Sequence, residues 1–405
     1  MKKIISLTII SLLFLQAYSQ SPWRQRADFL GGGRSSAVGF GISNTGYIGL
    51  GYDVNNYKGN LWRFEPDSNW WISIPNLGGP NQSGIERNMA ASFTIGTKAY
   101  VTTGSGGAAY MRDTWEYDKQ TDTWTQKADF GGTARRGATA FSIDSVGYVG
   151  TGQDLGGYRK DFYKFSPASN TWTAITSFGG TKRRLAVSFT ASGKGYVATG
   201  DDGVIVKDMW EYTPQTDTWV SKAAFAGSPR QNAIAFSLNN EGYIGTGYDD
   251  SFLFTSDIWK YSPVNDQWTA QQSFPAGARA AAAVFTINGV AYIGTGYCDT
   301  AIFYDIWEFN PNAVPLKVNL TNSEKITVRI YPNPIHTTSI FSIESNSSIQ
   351  WKLIIYNNNG AIVTALPLIN NQCIIDRKNM AAGIYYYRVE NSSAKNLMGK
   401  IIITD

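Results

Sequence analysis

Residues 134–152 read ARRGATAFSIDSVGYVGTG. Arg135, Ala138 and Phe141 make an R-x-x-A-x-x-F element, and the run alternates small or polar with apolar residues up to Ile143. Asp144-Ser145 breaks it, and a second run, Val146 to Gly152, carries Tyr148 between glycines. Two short alternating runs on either side of a polar turn predict a β-hairpin. Asp161-Phe162-Tyr163-Lys164-Phe165 follows after a loop, and Trp172 comes seven positions after Phe165. The whole unit reads as four short strands.

The unit is repeated. Trp23, Trp71, Trp124, Trp172, Trp219 and Trp268 recur at gaps of 48, 53, 48, 47 and 49 residues. Each is followed by a large apolar residue: Phe29, Leu77, Phe130, Phe178, Phe225 and Phe274. Then comes R-x-x-A-x-x-F, beginning at Arg34, Arg87, Arg135, Arg183, Arg230 and Arg279. A Tyr in a Gly-bounded strand follows (GYIGLG, AYVTTG, GYVGTG, GYVATG, GYIGTG, AYIGTG), and after a loop D-x-[WY]-x-[YF], with Asn60 replacing the Asp in the first copy. Four strands repeated every 40–50 residues or so are the signature of a propeller blade. On these motifs residues 20–315 resemble the Kelch-repeat β-propellers, although Gly-Thr-Gly often stands where that family shows Gly-Gly. The last copy stops at Asp305-Ile306-Trp307-Glu308-Phe309 without a fourth strand, and the first begins with an orphan fourth strand at Trp23. The expected fold is therefore all-β: a six-bladed propeller closed by its N-terminal strand, with Trp23 packed beside Phe309 and no sheet edge exposed at the seam.

Antiparallel order brings the loop before each inner strand and the loop after each Gly-x-Gly to one face. That face is expected to gather Arg34, Arg87, Arg135, Arg183, Arg230 and Arg279 with Asp53, Asp154, Asp202 and Asp249, each Asp two residues past its glycine. Two readings remain open for the arginines. They bond blade carbonyls and pair with nearby Asp, as a buried guanidinium requires, or some stay free to grip an anionic ligand. Asymmetry is the better pointer to function. Copies three and four carry a second arginine, Arg136 and Arg184. Copy two has the insertion GGPNQSGIER, which sets Glu86 beside Arg87. Copies five and six bring Phe252, Phe254, Phe303 and Tyr304 to a possible apolar lip or contact site. Trp115, Trp210, Trp259 and Trp307 repeat in register and read as interblade packing.

The chain starts Met-Lys-Lys, followed by the apolar run Ile4–Leu15 and small residues before Gln20. This predicts a signal peptide over residues 1–19, too short to span a membrane, and no later segment reads as transmembrane. Residues 20–315 hold 24 Lys/Arg against 26 Asp/Glu, which argues against a nucleic-acid partner. One His, His336, and two Cys, Cys298 and Cys373, leave no His-rich metal site, Ser-His-Asp triad in the repeats, or disulfide framework. No cofactor or metal is expected, and the chain is expected to be a monomer.

Pro311, Pro315 and a polar run predict a linker over 316–325. Beyond it Trp falls to one residue, and about seven alternating runs with turns at Asn359-Gly360 and Ala382-Gly383 predict a small Ig-like β-sandwich over 326–405. Tyr331-Pro332-Asn333-Pro334, IIYNNNG, MAAGIYYYRVE and the terminal KIIITD, in that order, resemble the C-terminal sorting domain of the type IX (Por) secretion system. The resemblance implies export to the surface or surroundings of a Bacteroidota-type bacterium, with residues 326–405 engaging the secretion machinery. The expected function is a secreted or surface-attached binding protein whose propeller rim recognises a protein or glycan. The alternative is a sugar-active enzyme: some Kelch propellers resemble sialic-acid mutarotases, and Glu86 with Arg87, Arg136 and Arg184 would then form the site. Resemblance to the Kelch-containing galactose oxidases fails, because they need His ligands and the repeats contain none.

Overall fold

The computed structural model describes residues 21–79, 85–107, 109–313, 327–344, 350–357, 360–378, 380–391 and 396–405. The expected leader (1–19), the linker (316–325) and residues 80–84 of the copy-two insertion lie outside the described residues. Every described regular element is a β-strand. Contacts divide the chain into two compact units, Met1–Pro315 and Leu316–Asp405.

In the first unit the described strands form six four-stranded antiparallel sheets and four small two-stranded ones. Sheet 1 runs Val38–Ile42, Thr45–Gly49, Leu61–Glu65, Trp70–Ile74 from its innermost strand outward. The innermost strands of sheets 2 to 6 are Ala91–Ile95, Thr139–Ile143, Val187–Ala191, Ile234–Leu238 and Ala283–Ile287. The inner strand alternates, burying Val38, Phe40 and Ile42 between half-buried glycines, whereas the second strand is buried throughout. That burial on both faces explains its glycines. A Cβ on Gly147 would fall 2.1 Å from the Phe93 ring of the preceding sheet, and one on Gly195 2.3 Å from Phe141.

Aromatic rings tie each sheet to the next. The motif Phe stacks on the Tyr of its own sheet at 4.8–5.1 Å between centroids, from Phe40–Tyr47 to Phe285–Tyr292. That Tyr meets the last aromatic of the following sheet at 5.3–5.7 Å: Tyr47–Tyr117, Tyr100–Phe165, Tyr148–Tyr212, Tyr196–Tyr261, Tyr243–Phe309 and, from sheet 6 back to sheet 1, Tyr292–Phe64. A second cycle is made by the backbone. Gly51, Gly104, Gly152, Gly200 and Gly247 donate their N–H to the carbonyls of Arg87, Arg135, Arg183, Arg230 and Arg279 at 2.7–2.8 Å, and Gly296 donates to Arg34 at 2.7 Å.

The outer strand of sheet 6 is Trp23–Gln25, from the opposite end of the unit. It pairs antiparallel with Ile306–Phe309, in the register Trp23↔Phe309. The two rings lie 4.7 Å apart, and the Trp23 indole N–H donates to the Gln272 carbonyl at 3.1 Å. The edge that sheet 6 would otherwise expose is therefore covered.

The second unit packs a three-stranded sheet (Thr327–Tyr331, Thr338–Glu344, Gln372–Asp376) on a four-stranded one (Ile362–Pro367, Trp351–Tyr356, Gly383–Asn391, Asn396–Ile403). Phe341 and Ile343 from one sheet meet Trp351, Leu353, Val389 and Ile401 from the other in a single core. His336 is exposed beside the last strand, its Nδ1 3.0 Å from the Asp405 main-chain oxygen.

Candidate functional site: the channel mouth

The six motif arginines are structural. Arg34, Arg87, Arg135, Arg183, Arg230 and Arg279 are 0–1% exposed. Each donates through Nη1 to the carbonyl sixteen residues on, from Leu50 to Thr295, at 2.9–3.1 Å. Five of them are also bound by both oxygens of the Asp opening D-x-[WY]: Asp113, Asp161, Asp208, Asp257 and Asp305, at 2.6–3.1 Å. Burial alone raises the pKa of Asp113, Asp208 and Asp257, but the guanidinium's hydrogen bonds and charge outweigh it and hold each below the ordinary carboxylate value. Arg34 meets Asn60 Oδ1 at 2.9 Å where the other five meet a carboxylate, and burial lowers its pKa to about 10. The expectation that these six form a ligand-binding rim is therefore corrected, because their donors are turned into the blades and desolvated.

The loop aspartates lie close to these arginines but do not bind them directly: a hydroxyl stands between Asp154 and Arg135 (Thr133), between Asp202 and Arg183 (Thr181) and between Asp249 and Arg230 (Ser228). Each folds back on its own loop, the Asx-turn habit of Asp beside Gly. Asp53 accepts from the N–H groups of Asn55 and Asn56 and pairs with Lys58, which holds its pKa at about 2. Asp154 accepts from Gly156 N–H, the Thr133 hydroxyl and Arg159 Nε. Asp202 accepts from the Thr181 hydroxyl and the Val204 N–H, and Asp249 from the N–H groups of Ser251 and Leu253. The expected lip divides. Phe252 is 72% and Tyr304 53% exposed. Phe254 instead packs between Tyr248 and Tyr297, and Phe303 covers Arg279 at 3.8 Å. Glu86 is exposed against Gly59 and Gly106, and no described hydrogen bond joins it to Arg136 or Arg184. Trp115 is buried and Trp210, Trp259 and Trp307 half-buried; all four donate their indole N–H to the motif Asp two residues before. Cys298 and Cys373 are free thiols.

What gathers at the mouth is the residue after each motif arginine, bridged to the residue after the Gly-x-Gly of its own sheet. The pairs are Ser35↔Tyr52, Asn88↔Ser105, Arg136↔Gln153, Arg184↔Asp201, Gln231↔Tyr248 and Ala280↔Tyr297. Arg136 and Arg184 converge on one acceptor across two sheets. Gln153 Oε1 receives Arg184 Nη1 at 2.8 Å and Arg136 Nη2 at 3.4 Å. Asp201 accepts from Arg184 Nε at 3.0 Å and from the Tyr158 hydroxyl at 3.1 Å. Each guanidinium lies over a tyrosine, Arg136 on Tyr110 at 5.1 Å and Arg184 on Tyr158 at 5.3 Å. Arg136 Nε, Asn88 Oδ1 and Gln231 Oε1 are buried with no hydrogen-bond partner, and all three belong to the same repeat position. Sheets 5 and 6 contribute the aromatic set Tyr248, Phe254 and Tyr297. Arg136 and Arg184 were legible from the sequence, but Gln153, Asp201, Tyr158, Asn88 and Gln231 were missed. Their signal was polar variation at a position flanked by invariant repeat residues.

Residues 329–404 match the family described as the secretion system C-terminal sorting domain. That domain marks the protein as secreted or displayed at the cell surface, exported by the type IX secretion system of Bacteroidota. Among solved structures the chain is similar to YjhT, a Kelch-type β-propeller, with a TM-score of 0.59 and 16% identity over 69% of this chain and 95% of that one. At that identity the likeness carries the fold: the first unit is a β-propeller. Comparison with the curated proteins gave no match. Among the described residues no helix is long and apolar enough to cross a membrane.

Proposed function

We propose that this exported propeller is a binding protein that holds the acidic group of a glycan at its channel mouth. The observation that carries this reading is the convergence of Arg136 and Arg184 on Gln153, each guanidinium laid over a tyrosine. Asp201 and Gln153 hold Arg184 in place before the ligand arrives, so little side-chain entropy is lost on binding. Tyr248 and Tyr297 supply flat apolar faces of the kind that pack against a sugar ring. Arginine pairs bind carboxylates through two parallel hydrogen bonds.

The test is calorimetric titration of the full chain with galacturonate and N-acetylneuraminate, with galactose as the neutral control. The acidic sugars are expected to bind and galactose not. Arg136→Ala/Arg184→Ala is expected to lower affinity at least tenfold, equivalent to about 1.4 kcal/mol, in a chain that still melts cooperatively above the assay temperature. Equal binding of galactose, or full binding by the double variant, would overturn the reading.

A further inference from the structure

A groove of about 940 Å³ lies between sheets 3 and 4. Its walls include Tyr158, Lys160, Ser177, Lys182 and Trp210. Gly179 lies against the Trp210 ring, where a Cβ would come within 2.4 Å of the indole, so glycine keeps that wall open. The indole N–H is committed to Asp208 at 2.9 Å, which fixes the ring.

The charges in the groove are not balanced. Asp161 and Asp208 are taken by Arg135 and Arg183, which leaves Asp202, bonded only to a hydroxyl and a backbone N–H, as the one lining carboxylate with no ion pair among the described residues. Arg159 is held by Asp154. Lys160 and Lys182 are exposed and form no ion pair among the described residues. The backbone is fixed at Lys160, whose carbonyl accepts from Phe178 N–H at 2.8 Å, and next to Lys182, where Arg183 N–H donates to the Arg159 carbonyl at 3.0 Å. Two lysines thus stand beside a fixed aromatic face and the exposed Ser177.

Tyr158 joins the groove to the mouth. It lines the groove, its ring lies under Arg184, and its hydroxyl is bonded to Asp201. Resting on the mouth reading above, we propose that the ligand is an acidic oligosaccharide rather than a monosaccharide. One acidic unit sits on Arg136 and Arg184, the chain crosses Tyr158, and a second acidic unit meets Lys160 and Lys182. The aromatic face of Trp210 and the Ser177 hydroxyl favour a glycan over an acidic peptide, because sugar rings offer both a flat C–H face and hydroxyl partners.

The experiment compares galacturonic acid with tetragalacturonate on the full chain, for the unaltered protein, Lys160→Ala/Lys182→Ala and Arg136→Ala/Arg184→Ala, with tetraglutamate as the peptide arm. Joining two subsites raises affinity without any new contact, so the tetramer is expected to bind at least tenfold more tightly than the monomer. The lysine variant is expected to erase that gain while leaving monomer affinity unchanged, and added salt is expected to shrink it. Equal affinity of monomer and tetramer overturns the proposal, as does a gain that survives the lysine variant. An equal gain for tetraglutamate overturns it too. Monomer binding that depends on Arg136 and Arg184, without the tetramer gain, sinks the groove alone; no binding by any uronate sinks the mouth reading and the groove together.

Discussion

Sheet 1 differs from its neighbours by a single atom type, and the substitution Asn60→Asp tests what that atom does. In sheets 2, 4, 5 and 6 the motif Asp binds the buried guanidinium through both oxygens and also accepts the following Trp indole N–H at 2.6–3.0 Å. In sheet 1 Asn60 offers one oxygen to Arg34, and the Trp62 indole N–H is buried without a partner. Burial pushes the Arg34 pKa down to about 10, overriding its attraction to Asp53. At about 1.36 kcal/mol per pKa unit, the charged guanidinium is roughly 3 kcal/mol worse off than in water. A carboxylate at position 60 would add a charge-assisted bond of about 1.5–3 kcal/mol and satisfy an orphan donor worth about 1–3 kcal/mol. Against this stands its own desolvation, a few kcal/mol. The net expectation is a gain of about 1–2 kcal/mol, or about 2–5 °C in a propeller of this size.

The assay is thermal melting of the full chain, with Asp257→Asn, which rebuilds the sheet 1 arrangement in sheet 5, as the mirror experiment with a loss of similar size. The pH dependence has a definite sign. A cation whose folded pKa lies below its unfolded value destabilises the fold fully below the folded pKa, and that penalty fades as pH rises through it. The advantage of Asn60→Asp should therefore shrink above about pH 10. A lower melting temperature for Asn60→Asp, together with no change for Asp257→Asn, would refute the reasoning.

Three other outcomes are expected. Asp113, Asp208 and Asp257 have lowered folded pKa values, so the stability they contribute is present above the unfolded value of about 3.9 and is lost as pH falls through the folded ones; the melting temperature should hold between about pH 7 and 5 and drop below about pH 4. Trp23→Ala removes the ring packed on Phe274 and Phe309 and should cost about 3–5 kcal/mol, read by denaturant titration. Glu86→Gln should leave galacturonate affinity unchanged in calorimetry, because Glu86 shares no described hydrogen bond with the mouth arginines.

The repeat was readable because all six copies solve the same packing problem with the same residues. Gly147 must be glycine because Phe93 fills the space its side chain would take. The pairing of Trp23 with Phe309 was readable from a different sign, an orphan strand at one end and a missing one at the other. The arginine partners were not readable in the same way. Asp53, Asp154, Asp202 and Asp249 stand close to the motif arginines by loop order, but a carboxylate next to a glycine turn bonds the nearest N–H first. The true partners lie about 26 residues along the chain, at the start of the third strand, and only the sheet brings them together. The mouth shows the same limit. Gln153 and Arg184 are 31 positions apart, and nothing in either copy alone marks the glutamine as their meeting point.

The pairing of Trp23–Gln25 with Ile306–Phe309 also sets an order of assembly. Sheets 1 to 5 are each built from a contiguous stretch of chain, so each can form as its own segment becomes available. Sheet 6 cannot, because its outer strand is the first to emerge and its other three are the last. Joining ends separated by almost the whole unit carries a loop-closure entropy of about 5 kcal/mol beyond the constant term. The nearly complete ring of the other sheets prepays much of it by holding the two ends close. In a chain synthesised from its N-terminus, the Trp23 strand must therefore wait, unpaired, until the last repeat has been made, and sheet 6 closes only when Phe309 arrives.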